Sequence, residues 1–136
     1  MTRYVEPVVQ EQGRVPGEKD GVVSVFVGQF ADFDELAQYV EFDYGDWDDD
    51  AAGSPFTEET GIGFYDEDFA EGSVDTGRPA AHLLEHSYGP SIDPQAGRDL
   101  GDLPDGTALY LVYDFDATGA APGRLALVGV YSYTKG

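Results

Sequence analysis

The pattern of hydrophobic positions begins with an almost continuous run, Val22–Val27, in which only Ser24 is polar. β-branched and aromatic side chains dominate this run, and such residues favour an extended backbone. A short apolar stretch of this kind is typical of a mostly buried strand. The sequence therefore predicts a strand over residues 22–27, which Gly28 closes.

A helical spacing follows this strand. Apolar side chains recur at positions i, i+3, i+4 and i+7, which form one face of an amphipathic helix: Phe33, Leu36, Ala37 and Val40. Asp32 precedes them and Glu35 comes three residues later, which resembles a capping box with Asp in place of Ser or Thr. Acidic residues in the first turn also suit the positive end of the helix dipole. The pattern predicts a helix over residues 33–42.

The middle of the chain has weaker patterns. Its composition predicts a loop over residues 43–55, followed by a short helical or irregular segment over residues 56–71. The pattern of residues 80–88 predicts a second short helix. A Gly-Pro pair at positions 89 and 90 marks its end. A stretch rich in Pro, Gly and Asp over residues 91–106 predicts another connection.

The strongest β pattern lies near the end of the chain. Apolar and aromatic residues fill two segments, 107–115 and 125–133, and a loop rich in Asp, Ala, Gly and Pro joins them. Two such runs are typical of a hairpin with a long connection. The element order thus predicts an α+β fold with a small, mostly antiparallel sheet and two or three helices packed on one face.

Length and composition agree with one domain. A chain of 136 residues fits a single domain, and we assign it to residues 21–136, because residues 1–20 lack periodicity and predict a loose leader. The longest apolar stretches are too short to span a bilayer, and the first residues lack the pattern of a signal peptide. With no cysteine, the chain has no thiolate zinc site and no disulfide. We expect a soluble, cytoplasmic protein.

Charge narrows the list of partners. The chain has 27 acidic residues against 7 Lys and Arg, for a formal net charge of -20. Such a surface repels nucleic-acid backbones and anionic lipid, so we expect neither nucleic acid nor a membrane as partner. It attracts basic proteins or cations. The alternative is that the acidity serves solubility or adaptation to high salt.

The negative charge is concentrated in one segment. Seventeen acids and no Lys or Arg lie between residues 20 and 77, which we call the acidic block, whereas the rest has 10 acids and 7 bases. A solubilising surface would spread its charge more evenly. The block therefore indicates a directional electrostatic face.

One short string has the form of a metalloenzyme motif. His82-Leu83-Leu84-Glu85-His86 matches H-x-x-E-H, in which two His on one helical face bind zinc and the Glu activates water. Such a site needs a third protein ligand, and no glutamate follows Glu85. The alternative interpretation is an amphipathic helix with Leu83 and Leu84 inward, and we predict no metal site and no enzyme.

Two acidic clusters partly match other kinds of site, a calcium loop and a pair of catalytic carboxylates. Residues 46–50 place acids at positions 1, 3 and 5 of a calcium loop, but Ala51 and Thr57 replace the Gly and Glu that such a loop needs. Residues 66–68 resemble paired catalytic carboxylates, yet local spacing does not place two carboxyls across a substrate. Acids interleaved with Tyr and Trp fit a protein interface better, because aromatics anchor while carboxylates steer and pair with cations.

Four segments in order resemble the immunity protein 22 family. The strand with the start of the first helix, residues 23–36, resembles that family's opening, and residues 63–71 resemble its Tyr-Asp-x-Asp-Phe signature. Residues 110–115 and 127–133 are similar to its closing strands. The resemblance implies a cytoplasmic immunity protein of a bacterial polymorphic toxin system, which binds and neutralises a cognate toxin and needs no cofactor.

On this interpretation the candidate partner-binding residues lie in the acidic block. Carboxylates of Asp46, Asp48, Asp49 and Asp50 steer and pair, and Tyr44 and Trp47 are candidate anchors. A second group belongs either to the interface or to the fold: Tyr65, Asp66, Glu67 and Asp68. The partner is expected to be basic, and a nuclease domain fits that description. Two alternatives stay open: an acidic module that mimics nucleic acid or binds another basic protein, and a zinc-dependent hydrolase using His82, Glu85 and His86.

Overall fold

A four-stranded antiparallel sheet organises the molecule. The computed structural model describes residues 17–42, 53–62, 65–74 and 77–134. The strands are β1 (Glu18–Gly28), β2 (Ala70–Ser73), β3 (Ala108–Phe115) and β4 (Leu125–Ser132). Their order across the sheet is β2-β3-β1-β4, so β2 and β4 form its two edges.

Four short helices complete the described part of the chain. They are α1 (Phe33–Val40), α2 (Pro55–Thr60), α3 (Pro79–Leu83) and α4 (Gln95–Leu100). Single 3₁₀ turns cover Glu67–Phe69 and Gly89–Ser91. None of the described helices is long and apolar enough to cross a membrane.

The α+β prediction is confirmed, but the helices cover both faces of the sheet rather than one. On the first face Phe26, Tyr110 and Val112 pack with side chains of α1 and α2, including Leu36 and Phe56. A second cluster forms on the other face, where α3 and α4 cover the sheet: Val23, Val25, Leu109, Leu111, Leu83, Ala96 and Leu100. Alternate residues of one strand point to opposite faces, so a strand that is apolar at every position needs cover on both sides.

The two C-terminal strands form where predicted, but the predicted hairpin between them is wrong. Both β3 and β4 pair antiparallel with β1, which lies between them. In β1, Val23, Ser24, Val25 and Phe26 are all completely buried. Such a strand is most stable in the middle of a sheet, with hydrogen-bonded neighbours on both sides. The connection between β3 and β4 is long enough to cross β1.

Several element boundaries differ from the sequence prediction. Strand β1 begins at Glu18, and the predicted leader otherwise lies outside the described residues. The second predicted helix is only the short α3, whose backbone continues as turns after Leu83. Two elements were missed, β2 and α4. Both are short, and β2 contains a Gly and a Ser that weaken a strand pattern.

Helix α1 begins as its sequence predicts. The Asp32 side chain accepts a hydrogen bond of 2.9 Å from the backbone N–H of Glu35. The Glu35 carboxylate in turn accepts one from the N–H of Ala31, rather than from Asp32 itself. The helix ends at Val40, two residues before the predicted end. This cap fixes the first turn of the helix, and thereby the direction in which the side chains of Phe33 and Asp34 point.

Candidate functional site

The structure describes only part of the predicted binding surface. The first group of predicted residues lies outside the described part of the chain: Tyr44, Asp46, Trp47, Asp48, Asp49 and Asp50. Helix α1 and Phe42 lead directly into this segment, and the described backbone resumes at Gly53, just before α2. The segment is therefore joined at both ends to the two helices of the first sheet face.

Tyr65 of the second predicted group is a core residue. Its side chain is only 1% exposed, and its hydroxyl lies 2.7 Å from the hydroxyl of Tyr110. The ring makes edge contacts with Phe42, Phe56 and Phe115. An aromatic ring that is enclosed in this way stabilises the fold. In this structure a partner cannot contact it from outside.

Two of the three acidic residues predicted after Tyr65 have different positions, and the side chain of the third, Glu67, lies outside the described part of the structure. Asp66 caps the 3₁₀ turn that starts at Glu67, because its Oδ1 accepts a hydrogen bond of 3.0 Å from the N–H of Asp68. The side chain of Asp68 itself is exposed. The Asp66 side chain thus stabilises the 3₁₀ turn, whereas the Asp68 carboxylate is exposed at the surface and can contact a partner.

The two histidines of the H-x-x-E-H string meet at a serine that the sequence analysis did not single out. The Oγ atom of Ser73, in β2, lies 2.8 Å from Nδ1 of His82 and 2.9 Å from Nε2 of His86. Nδ1 of His86 lies 3.1 Å from Oε1 of Glu71. Glu71 also accepts hydrogen bonds from the backbone N–H and hydroxyl of Ser87 and from the hydroxyl of Tyr113. We call this set the Ser73 network.

One arrangement of protons satisfies the Ser73 network throughout. Because Glu71 is a carboxylate, Nδ1–H of His86 donates to it, and Nε2 of His86 accepts from the Ser73 hydroxyl. The Ser73 oxygen then accepts from Nδ1–H of His82. This leaves Nε2 of His82 as an acceptor, and it is the buried side-chain atom without a hydrogen-bond partner among the described residues. Both imidazoles are neutral in this arrangement.

The electrostatics of the Ser73 network agree with a neutral His86 beside a charged Glu71. Burial lowers the pKa of His86, although the neighbouring Glu71 opposes this effect. Burial alone would raise the pKa of Glu71, but hydrogen bonds from Ser87 and Tyr113 outweigh it, so the pKa of this carboxyl is lowered. Burial and the Glu71 carboxylate together raise the pKa of Tyr113.

This geometry is that of a structural hydrogen-bond network. A zinc motif places both imidazoles on one helix, whereas α3 ends at Leu83, before His86. Both ring nitrogens of His86 and Nδ1 of His82 are already bonded to Ser73 and Glu71, which leaves only Nε2 of His82 for a metal. Glu85 is exposed. Among the residues that the structure describes, no group of three His, Asp or Glu side chains is arranged to hold a metal ion.

Part of the acidic block lies on the helices of the first sheet face. Helices α1 and α2, which cover the first sheet face, carry acidic residues and no Lys or Arg. Helix α4 on the opposite face contains Arg98, and Arg78 caps α3. We call the outer surface of α1 and α2 the acidic face.

Several carboxylates of the acidic block have no cationic partner. The described Lys and Arg side chains already contact other side chains, and one of these contacts is inside the acidic block: Lys19 with Asp116, Arg78 with Asp105, Arg98 with Gln95, and Arg124 with Glu35. In the acidic block, exposed carboxylates without an ion pair among the described residues include Asp34, Glu41, Glu58 and Asp68. Outside the block, Glu85, Asp93 and Asp102 are exposed and without an ion pair in the same way. The mutual repulsion of the carboxylates in the block is relieved when a positively charged surface covers them.

A comparison with protein families matches residues 23–134 to the family described as Immunity protein 22. The match spans nearly the whole described part of the chain, and it confirms the resemblance drawn from the sequence. Comparisons with curated proteins and with solved structures found no match.

Proposed function

The chain belongs to the immunity protein 22 family, and from this membership we propose that it binds and neutralises a cognate toxin through its acidic face. The family match over residues 23–134 carries the proposal, because an immunity role requires a toxin to be bound. The exposed carboxylates of α1 and α2 that have no cationic partner among the described residues support the rest. The toxin on this proposal presents a basic surface.

The nature of that surface points to a class of toxin. Enzymes that act on nucleic acids have basic clefts that bind the phosphate backbone. A rigid acidic protein of opposite charge occupies such a cleft and blocks access of the substrate. A nuclease domain is therefore the toxin class that the acidic face fits best. Protection of the producing cell on this proposal takes place in the cytoplasm, where the toxin would otherwise act.

The segment between α1 and α2 supplies the steering charges in this proposal. Four carboxylates stand within five positions, at Asp46, Asp48, Asp49 and Asp50, and Tyr44 and Trp47 stand beside them. Opposite charges accelerate association, whereas aromatic anchors slow dissociation once water is excluded. Loops between rigid elements commonly carry binding residues, because the scaffold tolerates their variation. Asp68 extends the same negative potential from the turn before β2.

Co-expression with toxin domains encoded in the genes next to that of this chain tests the proposed function. We expect the chain to restore growth of cells that produce the toxin, and to co-purify with an inactive toxin variant. Failure of both would contradict toxin neutralisation. Co-purification without growth rescue would instead favour a module that binds basic proteins for another purpose.

A charge-reversal variant tests the steering segment separately. Changing Asp48, Asp49 and Asp50 to Lys should slow association with the toxin about tenfold or more at low salt, and the difference should shrink at high salt. The matched control changes Glu85, Asp102 and Asp105 to Lys, which alters net charge equally outside the acidic block. Its association rate should change by less than about threefold. Equal effects of both triple variants would show that only net charge matters.

A further inference from the structure

A shallow apolar groove of about 280 Å³ runs between α1 and the edge strand β2. Phe33, Ala37 and Val40 line it from α1, and Gly72 and Tyr110 line it from the sheet. The groove depends on the missing side chain of Gly72. A Cβ atom there would lie 2.9 Å from Cδ2 of Leu36 and 3.2 Å from Cδ1 of Tyr110. The sheet and the helix thus leave an open apolar surface beside the helix.

Phe33 stands at one end of this groove with 54% of its surface exposed. Among the described residues it shares such exposure of a large apolar side chain only with Leu84, which is 58% exposed. Leu84 lies directly after α3, on the opposite side of the sheet. Single exposed apolar residues are ordinary, but an exposed aromatic ring beside an apolar groove is typical of a binding site.

One carboxylate lines the same groove and another lies near it. Glu41, the residue that follows α1, lines it directly, and Asp34 lies in the first turn of α1, directly after the lining residue Phe33. Both carboxylates are exposed and have no cationic partner among the described residues. Arg124 is the cation at the start of α1, and it already pairs with Glu35 and lies over the ring of Phe30.

We infer that this groove is a docking surface for a basic segment of the toxin, with Phe33 as its apolar anchor and Asp34 and Glu41 as the partners of its cations. The inference rests on the proposed function, and it locates part of the toxin-binding surface among the described residues. Lys and Arg suit such a surface, because their aliphatic stems cover apolar atoms while their charged heads reach carboxylates. An apolar side chain of the same segment covers Phe33.

A second copy of this chain is a poor occupant of the groove. Two copies that met through it by a twofold axis would each present Asp34 and Glu41 at the contact, and like charges in an interface repel. A partner of opposite charge instead relieves the repulsion that these carboxylates experience in the free protein. Charge complementarity therefore selects a basic partner.

Binding of the inactive toxin domain by single variants tests the inference. Phe33→Ala should weaken affinity about 30-fold or more, mainly through faster dissociation, because it removes the anchor. Its matched control is Leu84→Ala, which removes an equally exposed apolar side chain from the other face and should change affinity less than about threefold. Both side chains are exposed, so the two variants should keep the thermal unfolding midpoint of the wild type. Phe33→Leu, which retains part of the apolar area, should give an intermediate affinity.

The double variant Asp34→Lys with Glu41→Lys tests the charges of the groove. Association should slow about tenfold at low salt, whereas Asp102→Lys with Asp105→Lys should leave it within about threefold. If the wild type binds the toxin and the Phe33→Ala and Leu84→Ala variants bind it as tightly as each other, the docking role of the groove is disproved. The proposed function then still stands. A wild type that binds no toxin overturns both. A wild-type dimer that Phe33→Ala dissociates would show that the groove binds a second copy instead.

Discussion

At the scale of single residues, buried tyrosines donate hydrogen bonds to carboxylates. The hydroxyl of Tyr39 donates to Glu59, that of Tyr131 donates to Asp99 at 2.7 Å, and that of Tyr133 donates to Asp114 at 2.8 Å. Tyr113 donates to Glu71 in the same way. In a chain with few Lys and Arg, phenolic O–H groups thus anchor part of the acidic surface to the core.

These contacts shift the titration of both partners. Burial and the Glu59 hydrogen bond raise the pKa of Tyr39 to about 12. The hydrogen bonds from Tyr39 and Tyr131 lower the pKa values of Glu59 and Asp99, respectively. A carboxyl whose pKa is lower in the folded than in the unfolded state stabilises the fold above its unfolded pKa. That contribution is lost as the pH falls through the folded pKa.

Glu71 is the carboxylate whose replacement should have the largest effect. Glu71→Gln loses the charge that accepts hydrogen bonds from His86, Ser87 and Tyr113, so we expect it to lower the free energy of unfolding by about 1–3 kcal/mol at pH 7. Glu85→Gln is the control, since Glu85 is exposed, and it should change this free energy by less than about 0.5 kcal/mol. Urea unfolding measures both. Equal effects would mean that the Ser73 network contributes little.

His86 should make the stability depend on pH in a defined direction. Its pKa is lowered in the folded protein from an ordinary value of 6.5, chiefly by burial, so the unfolded chain binds more protons between these two values. The free energy of unfolding should therefore decrease as the pH falls below about 6.5, and the decrease should be complete once the pH has passed the folded pKa. His86→Gln should flatten this part of the curve, measured by urea unfolding at several pH values. A wild-type curve with no slope there would contradict the neutral state of His86.

At the scale of elements, local patterns predicted the long elements but not their neighbours. The apolar runs of β1, β3 and β4 and the helical spacing of α1 dictate local structure, because periodicity and capping act within a few residues. The hairpin prediction failed since adjacency in sequence does not decide adjacency in the sheet. The burial of both faces of β1 requires a central position, and only the complete sheet provides it.

The candidate site was less predictable than the fold. The excess of acids in one segment indicated an acidic face. Some of its described acids lie on α1 and α2, whereas Glu71 of β2 joins the Ser73 network on the other side of the sheet. Tyr65 is buried by aromatic rings from distant parts of the chain. Its position among acidic residues in the sequence therefore gave a misleading indication of a binding surface. The Ser73 network was missed for the same reason. Its members come from β2, α3, the following turn and β3, and no spacing in the sequence links them.

The end of β1 offers a test of packing between elements. A Cβ atom at Gly28 would lie 2.3 Å from the backbone oxygen of Arg124, the residue directly before β4. We expect Gly28→Ala to lower the free energy of unfolding by about 1–3 kcal/mol, because backbone must shift to admit the methyl group.

The matched control for this change is Gly97→Ala in α4. A Cβ there meets nothing within 4 Å, and alanine is the better helix former. Gly97→Ala should raise the free energy of unfolding by about 0.5–1 kcal/mol. Thermal or urea unfolding of the two variants should thus move in opposite directions, and a shift of both in the same direction would refute the packing argument.

At the scale of the whole molecule, the net charge of -20 opposes the compact state. Self-repulsion of this kind weakens when salt screens it, within a Debye length of about 10 Å at 0.1 M. We expect the thermal unfolding midpoint of the free protein to rise by about 5 °C between low salt and 0.5 M sodium chloride. A midpoint that falls with salt would mean that attractive ion pairs outweigh the repulsion.

The central position of β1 has a consequence for folding during synthesis on the ribosome. Gly28 pairs with Ala108 on one side and with Leu125 on the other, so the first strand acquires both neighbours only after almost the whole chain has been made. Nascent chains grow by about 5–20 residues per second, and contacts between such distant positions form slowly. During that interval the apolar strand is uncovered. On the proposed function, protection of a cell that makes the toxin therefore begins only after synthesis of the immunity protein has passed β4.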